Sequence, residues 1–366
     1  MTSGFGIVGG AAVPHAPQFF TLPPTEDADQ VGRVEARMAR IGSALRALEP
    51  DVVVIVANDH LENFLLHCVP SFTVHRGPHV AGSFAGRDFR WQVASEAATK
   101  VIVELQNQGF DPAVTVNAGI GYEFGIPLTF CGIDTDTPLI PIYVNSYIPP
   151  QPSGDRCYSF GQALHRALAA NGLRAVIIAS GGLSHYPGTD LYSNPDLSTD
   201  EAIVGQISRG NLRSLLQFDD AALDRTGNVE ARSWIILAGA LGERVPDEVG
   251  LEPSWHHNYA IAGWYSPANP DDGTELHYPL LRPDQLTLNE ALYRLRMDPD
   301  ACASYLQDAS AFTAGYDLTT DEAAALTALD EPALRGLGVH PLLAFLARLH
   351  VDLVRRARDD VPQVTR

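Results

Sequence analysis

The run Asp51-Val52-Val53-Val54-Ile55-Val56-Ala57-Asn58, followed by Asp59-His60, decides the fold. It is almost continuously β-branched and shows no polar alternation. Such a strand is buried on both faces, as in a mainly parallel sheet covered by helices. Three further runs share its texture: FGIVGGAAV (5–13), PLIPIYVN (138–145) and RAVIIAS (174–180). Between them lie longer stretches with helical spacing: QVGRVEARMARIGSALRAL (30–48), ASEAATKVIVELQNQ (94–108) and SFGQALHRALAANG (159–172). Gly172 closes the last as a C′ residue. Strand and helix in alternation predict an α/β fold, with a mainly parallel or mixed central sheet flanked by helices.

Past residue 265 the texture changes. YSPANPDDGTELHYPLLRPDQ (265–285) is rich in Pro, Asp and Gly and reads as a linker. The stretches after it are helical in pattern, with capping signals at Thr287 before Glu290 and Thr320 before Glu322. The expected organisation is a catalytic α/β domain over 1–270 and a small helical domain over 285–366. A chain of 366 residues with 45% hydrophobic content has room for both.

Charge and composition exclude several classes. The net charge is −19 and no cluster of Lys or Arg interrupts it, which argues against a nucleic-acid or anionic-membrane partner. No stretch approaches the ~18 apolar residues of a membrane span. The four cysteines, Cys68, Cys131, Cys157 and Cys302, are scattered without pairing spacing, so they read as reduced thiols. The N-terminal segment lacks a basic start and a long apolar stretch, so a cytoplasmic protein is expected.

Three of the strand-like runs end on histidine. Run 5–13 leads into Pro14-His15, run 51–58 into Asp59-His60, and run 174–180 into Gly181-Gly182-Leu183-Ser184-His185. Open α/β sheets bind ligands beyond the C-terminal ends of their strands, so these histidines define a candidate site. Taken singly, each reads as a loop or capping residue; three together on buried-type strands do not. Glu230 opens the apolar helix that carries Trp234, Ile235, Ile236 and Leu237. A first-turn Glu is commonly a dipole partner, but a buried helix points it at something. Two imidazoles and one carboxylate with open positions suit non-haem Fe(II) and O2 chemistry. His185 need not be a ligand; it can take a proton from a substrate hydroxyl and return it later. The triplet His60-Leu61-Glu62 also fits the ligand pair of β-barrel oxygenases, which the α/β pattern opposes. His256 and His257 read as supporting or core polar residues ahead of another strand. His75 and His79 read as exposed loop or lid residues, and His340 lies too far along to be assumed a ligand.

The order PHAP, NDH, GGLSH and Gly-Asn-Val-Glu…Trp resembles the class III extradiol ring-cleavage dioxygenases, of the protocatechuate 4,5-dioxygenase β-subunit type, over about residues 5–265. The tail NEALYRLRMDPDACASYLQD…GLGVHPLLAFLAR resembles the helical α-subunit of the same enzyme, and the fusion is similar to gallate-type dioxygenases. The resemblance implies that His15, His60 and Glu230 ligate Fe(II) and that His185 is the acid/base. It also implies a homodimer in which the helical domain covers an active site, acting on a small aromatic substrate with O2.

One position departs from the family pattern. Where many members carry Asp-His-Gly, this chain has Gly121-Tyr122-Glu123-Phe124-Gly125, so Tyr122 replaces a second active-site histidine. A phenol can hydrogen-bond a substrate but is a poor base. Alternatively it is a core tyrosine. The expected reaction is extradiol cleavage of a catechol-type or 2-aminophenol-type ring. The alternatives are a non-catalytic binding protein on the same fold and a metal-dependent hydrolase. A substrate carboxylate needs an Arg, a Ser or a backbone nest, and Arg87, Arg90 and the helical domain are the candidates.

Overall fold

A computed structural model describes residues 5–65, 67–266, 278 and 285–359. Among the described residues ten strands follow one another: β1 (Gly6–Val13), β2 (Val52–Asn58), β3 (Phe72–His75), β4 (His79–Phe84), β5 (Arg87–Gln92), β6 (Ala113–Thr115), β7 (Leu139–Val144), β8 (Arg174–Ser180), β9 (Glu248–Pro253) and β10 (Asn258–Trp264). Eight of them make one sheet in the order β6-β3-β7-β2-β8-β1-β10-β9, while β4 and β5 pair as a separate hairpin. The middle of the sheet, β7-β2-β8-β1, is parallel throughout. The flanks are mixed, since β3 runs antiparallel to β7 and β10 antiparallel to β1. The α/β expectation holds, with a mixed sheet.

The four central strands are buried along nearly their whole length. Each face therefore packs its own core. On one side sit the helices Ala28–Arg46 and Tyr122–Phe130, over Ile55, Ile178 and Tyr259. On the other sit Ser95–Asn107, Gly154–Ala170 and Ala231–Leu241, over Val54, Ile140 and Ile177. Each predicted helix is present with slightly shifted ends, and Gly172 follows the C-cap Asn171 at φ 66, the left-handed geometry of a C′ residue. The helices Gly154–Ala170 and Ala231–Leu241 touch through Gly161 and Gly239. A Cβ at either would overlap backbone of the facing helix, at Ile236 or Tyr158. This close approach fixes where the second helix, and the Glu230 that opens it, meet the sheet.

The chain divides into two compact units, Met1–Gly273 and Thr274–Arg366. In the second, six helices from Leu286–Met297 to Pro341–Asp359 enclose Leu288, Leu292, Leu295, Leu326 and Val351. Its capping box is made by Thr319 with Glu322, one residue before the Thr320 expected. Thr287 is no cap: it lies inside the helix that Gln285 precedes. The expected linker, 265–285, lies largely outside the described residues. No disulfide links the four cysteines. Among the described residues no helix is long and apolar enough to cross a membrane.

Candidate metal centre

Because β1, β2, β8 and β7 are parallel, their C-terminal ends share one edge of the sheet. His15 stands two residues past β1, His60 two past β2, and His185 five past β8. Leu61 follows His60 at φ 65, a strained left-handed turn for a non-glycine residue. Glu230 arrives as the N-cap of Ala231–Leu241 and is fully buried. One donor atom from each of His15, His60 and Glu230 lies within 4.8 Å of the others. The Glu230 carboxylate is 3.3 Å from His15 Nε2 and 3.2 Å from His60 Nε2. Ligands at about 2.1 Å from one metal and at right angles stand about 3 Å apart, so these spacings fit a shared ion.

The back sides of both rings support that fit. His15 Nδ1 is 2.9 Å from Ser180 Oγ, whose own hydrogen is donated to the Glu123 carbonyl. The hydroxyl must therefore accept from His15 Nδ1–H, which leaves Nε2 unprotonated and inward. His60 Nδ1 faces Glu123 Oε2 at 3.7 Å, and neither atom has a hydrogen-bond partner among the described residues. A carboxylate behind a metal-binding imidazole fixes its tautomer and raises its basicity. Burial opposes charge on His60, but Glu123 and Glu230 outweigh it and lift its pKa to about 10. Burial likewise opposes charge on Glu230, yet His15 and His185 hold its carboxyl well below the usual range. Two buried carboxylates thus draw positive charge into this spot, and a cation between the donors satisfies them.

Two of the donor residues, His15 and His60, line a cavity of about 340 Å³. His185 lines it. Its Nδ1 is 2.7 Å from the Leu183 carbonyl, which makes Nδ1 the donor and turns Nε2 towards Glu230 Oε1, 3.5 Å away. Burial works against charge on His185, and Glu230 more than compensates, raising its pKa. Tyr122 lies on the cavity wall, stacked on the His60 ring at 4.8 Å and 16°. Burial and the neighbouring carboxylates keep its phenol above the usual range, hence neutral. Neither Arg87 nor Arg90 lines the cavity, and no Lys or Arg does among the described residues.

The family described as the catalytic LigB subunit of aromatic ring-opening dioxygenase matches residues 9–263. The chain belongs to this family. The matched span contains His15, His60, Tyr122, His185 and Glu230, and ends before the helical unit. Similar curated proteins are named 2,3-dihydroxyphenylpropionate/2,3-dihydroxicinnamic acid 1,2-dioxygenase. One, from Klebsiella pneumoniae subsp. pneumoniae, is 30% identical over 188 residues, 51% of this chain and 59% of that protein. Another, from Pseudomonas putida, is 25% identical over 249 residues, 67% of this chain and 74% of that protein. The chain thus spans about three fifths of the relatives it matches first. A solved structure of an uncharacterized Escherichia coli K12 protein aligns at 14% identity with a TM-score of 0.48, over 70% of this chain and 99% of that one.

Several residues beside the candidate donors, His257 excepted, were not picked out in the sequence. Tyr147, three residues past β7, donates its hydroxyl to Glu230 Oε1 at 2.7 Å and lies 3.3 Å from His185 Nε2. The strand-end rule that found the histidines covers it too. His257 stacks flat on His185, at 4.3 Å and 1°. It comes just before β10, whose antiparallel direction brings the start of the strand to the same edge. Gly182 makes room for it, since a side chain there would run into the His257 ring, and the Gly182 N–H donates to Glu230 Oε2 at 2.8 Å. Asp200 is fully buried and ties two loops to the start of β10. It accepts from Ser184 N–H at 2.9 Å, Asn258 Nδ2 at 2.8 Å and Asn228 Nδ2 at 3.1 Å. His75, expected in an exposed loop, instead ends β3 and is buried; His79 is exposed.

Proposed function

We propose that this protein cleaves a catechol-type or 2-aminophenol-type aromatic ring in the extradiol sense, with O2, at one non-haem Fe(II). The observation that carries the proposal is the convergence of His15, His60 and Glu230 at the floor of a cavity that His185 also lines. Iron(II) bound there supplies the electron transfer by which O2 reacts with an electron-rich ring. The protein's own groups bind, orient and move protons. His15 and His60 offer Nε2 lone pairs because Ser180 and Glu123 occupy their Nδ1 sides. Asn58, Tyr147 and the Gly182 N–H all donate to Glu230 and hold its carboxylate in place. His185, with Nδ1–H spent on Leu183, offers Nε2 to a substrate hydroxyl, takes its proton and holds it for return later in the reaction. Tyr122, stacked beside His60, hydrogen-bonds the substrate as a neutral phenol.

The relatives' printed names point to a 2,3-dihydroxyphenyl ring, which is the same vicinal diol chemistry. We assign the catalytic role to residues 1–270. Residues 285–366 are proposed to cover an active site in a cytoplasmic homodimer. The test is anaerobic loading with Fe(II), then O2 with a panel of catechols and 2-aminophenols, following O2 uptake and the coloured ring-opened product. Stoichiometric iron with no O2 uptake across the panel overturns the reading. His15→Ala or Glu230→Ala protein that keeps its iron and turns over removes the ligand assignment.

A further inference from the structure

The cavity has a second polar end, away from the three donor atoms. Beneath it lies Glu26, whose side chain is 1% exposed. Its carboxylate accepts from Trp255 Nε1–H and the Tyr259 hydroxyl, each at 3.2 Å, and lies 3.2 Å from His256 Nε2, which is also 3.3 Å from the Tyr259 oxygen whose hydrogen is spent on Glu26. A carboxylate only accepts, so it dictates the His256 tautomer: Nε2 carries the hydrogen. Burial lowers the pKa of His256, which keeps the ring neutral. Its remaining nitrogen, Nδ1, is then an acceptor, in a ring that lines the cavity. No described residue hydrogen-bonds it.

A second acceptor stands nearby. Tyr192 stacks on His256 at 5.5 Å and 27°, and its hydroxyl accepts from Gln18 Nε2 at 3.4 Å. That leaves Gln18 Oε1 buried without a partner among the described residues. Gln18, Tyr192 and His256 all line the cavity, which has no Lys or Arg in its wall among the described residues. The Arg87 guanidinium rests over the Phe20 ring. A carboxylate brought to this end meets two acceptors and a buried like charge, which the Tyr192 O–H, left free to donate, offsets only in part. A hydroxyl or amino group supplies the hydrogen that the His256 acceptor lacks.

We propose that Glu26, acting through His256, selects the ring substituent, so that the cavity takes aromatic substrates bearing a hydrogen-bond donor and rejects ring carboxylates. The inference rests on the cavity being the ring-cleavage site. Glu26 is a positioning residue here, and His256 is the group that touches the substituent.

The experiment measures anaerobic dissociation constants by calorimetry on the iron(II)-loaded full chain. The probes are catechols carrying either a hydroxymethyl or a carboxylate group, at ring position 3 or 4. The hydroxymethyl compound is expected to bind about tenfold tighter than its carboxylate counterpart at the preferred position, the scale of one hydrogen bond gained against one buried group left unpaired. Glu26→Gln removes the charge and frees the His256 tautomer; His256→Phe keeps a ring but removes the acceptor. Each is expected to shrink the ratio at least about threefold. A wild-type ratio that favours the carboxylate, or one that neither folded variant changes, overturns the proposal. Should one variant fail to fold, the wild-type ratio and the other variant still decide. Oxygen uptake with unsubstituted catechol tests the ring-cleavage reading separately. The expected binding order without O2 uptake sinks that reading alone. O2 uptake with carboxylates bound tighter sinks this one alone.

Discussion

At the scale of single residues, the candidate donors are backed by groups set behind their rings. Glu123 is the clearest case. It sits behind His60, and its Oε2 has no other partner among the described residues. Its charge, with that of Glu230, holds a proton on His60 up to about pH 10 in the metal-free protein. The folded pKa is raised above the ordinary 6.5, so this proton stabilises the metal-free fold fully below about 6.5, and the contribution is lost as pH rises through about 10. A metal ligand must be deprotonated, so binding at neutral pH expels that proton. Apparent metal affinity is therefore expected to climb with pH, by about tenfold per unit for one released proton, between about pH 7 and 9. Chelator competition at several pH values measures the slope, and calorimetry in buffers of different ionisation enthalpy counts the proton. Glu123→Gln removes one of the two charges. It is expected to weaken metal binding about 10–100-fold and to flatten the slope. A flat slope in the wild type means that His60 is already neutral, and the charge argument fails.

At the scale of elements, the site is a consequence of strand direction. His15, His60 and His185 were readable because each follows an apolar run, and parallel strands alternating with helices must end at one edge. Tyr147 follows a fourth such run, PLIPIYVN, so its place at the edge was equally legible, but a phenol is no sign of a metal centre. His257 was legible as a supporting or core polar residue ahead of a strand, but not as a neighbour of His185. It reaches the same edge because β10 is antiparallel, and no local pattern in NYAIAGW declares a strand's direction. Glu123 and Asp200 were not legible at all, since their partners lie far away along the chain: Asp200 meets Asn258 58 residues later. Yet Asp200 joins the loop before His185, the loop before Glu230 and the start of β10. Asp200→Ala strands the Ser184 N–H and the Asn258 amide in a dry interior, at about 1–3 kcal/mol for each group. The expected result is a clear fall in denaturant midpoint together with iron loss on desalting, because the lost acceptor loosens two loops of the centre at once. A variant with wild-type stability and full iron content contradicts this role.

At the scale of the whole molecule, two compact units with separate cores share one chain. The candidate donors all belong to the first unit. The first unit holds its two cores on the faces of one shared sheet and the helical unit has its own, so heat is expected to unfold the chain in two steps rather than one. A ligand that binds only the native form raises its unit's stability by RT ln(1 + [L]/Kd), about 2.7 kcal/mol at a hundredfold excess over Kd. Iron(II) under anaerobic conditions is thus expected to move one calorimetric transition upward and leave the other in place. The moving transition belongs to residues 1–273, which circular dichroism identifies by its strand signal. The second transition carries the test of the proposed cover. If the helical unit closes over a loaded site, adding catechol on top of iron stabilises that unit too, and the second transition follows the first. If it stays fixed under saturating iron and catechol, the helical unit is a passenger, and its role as a cover is withdrawn without touching the assignment of the metal centre.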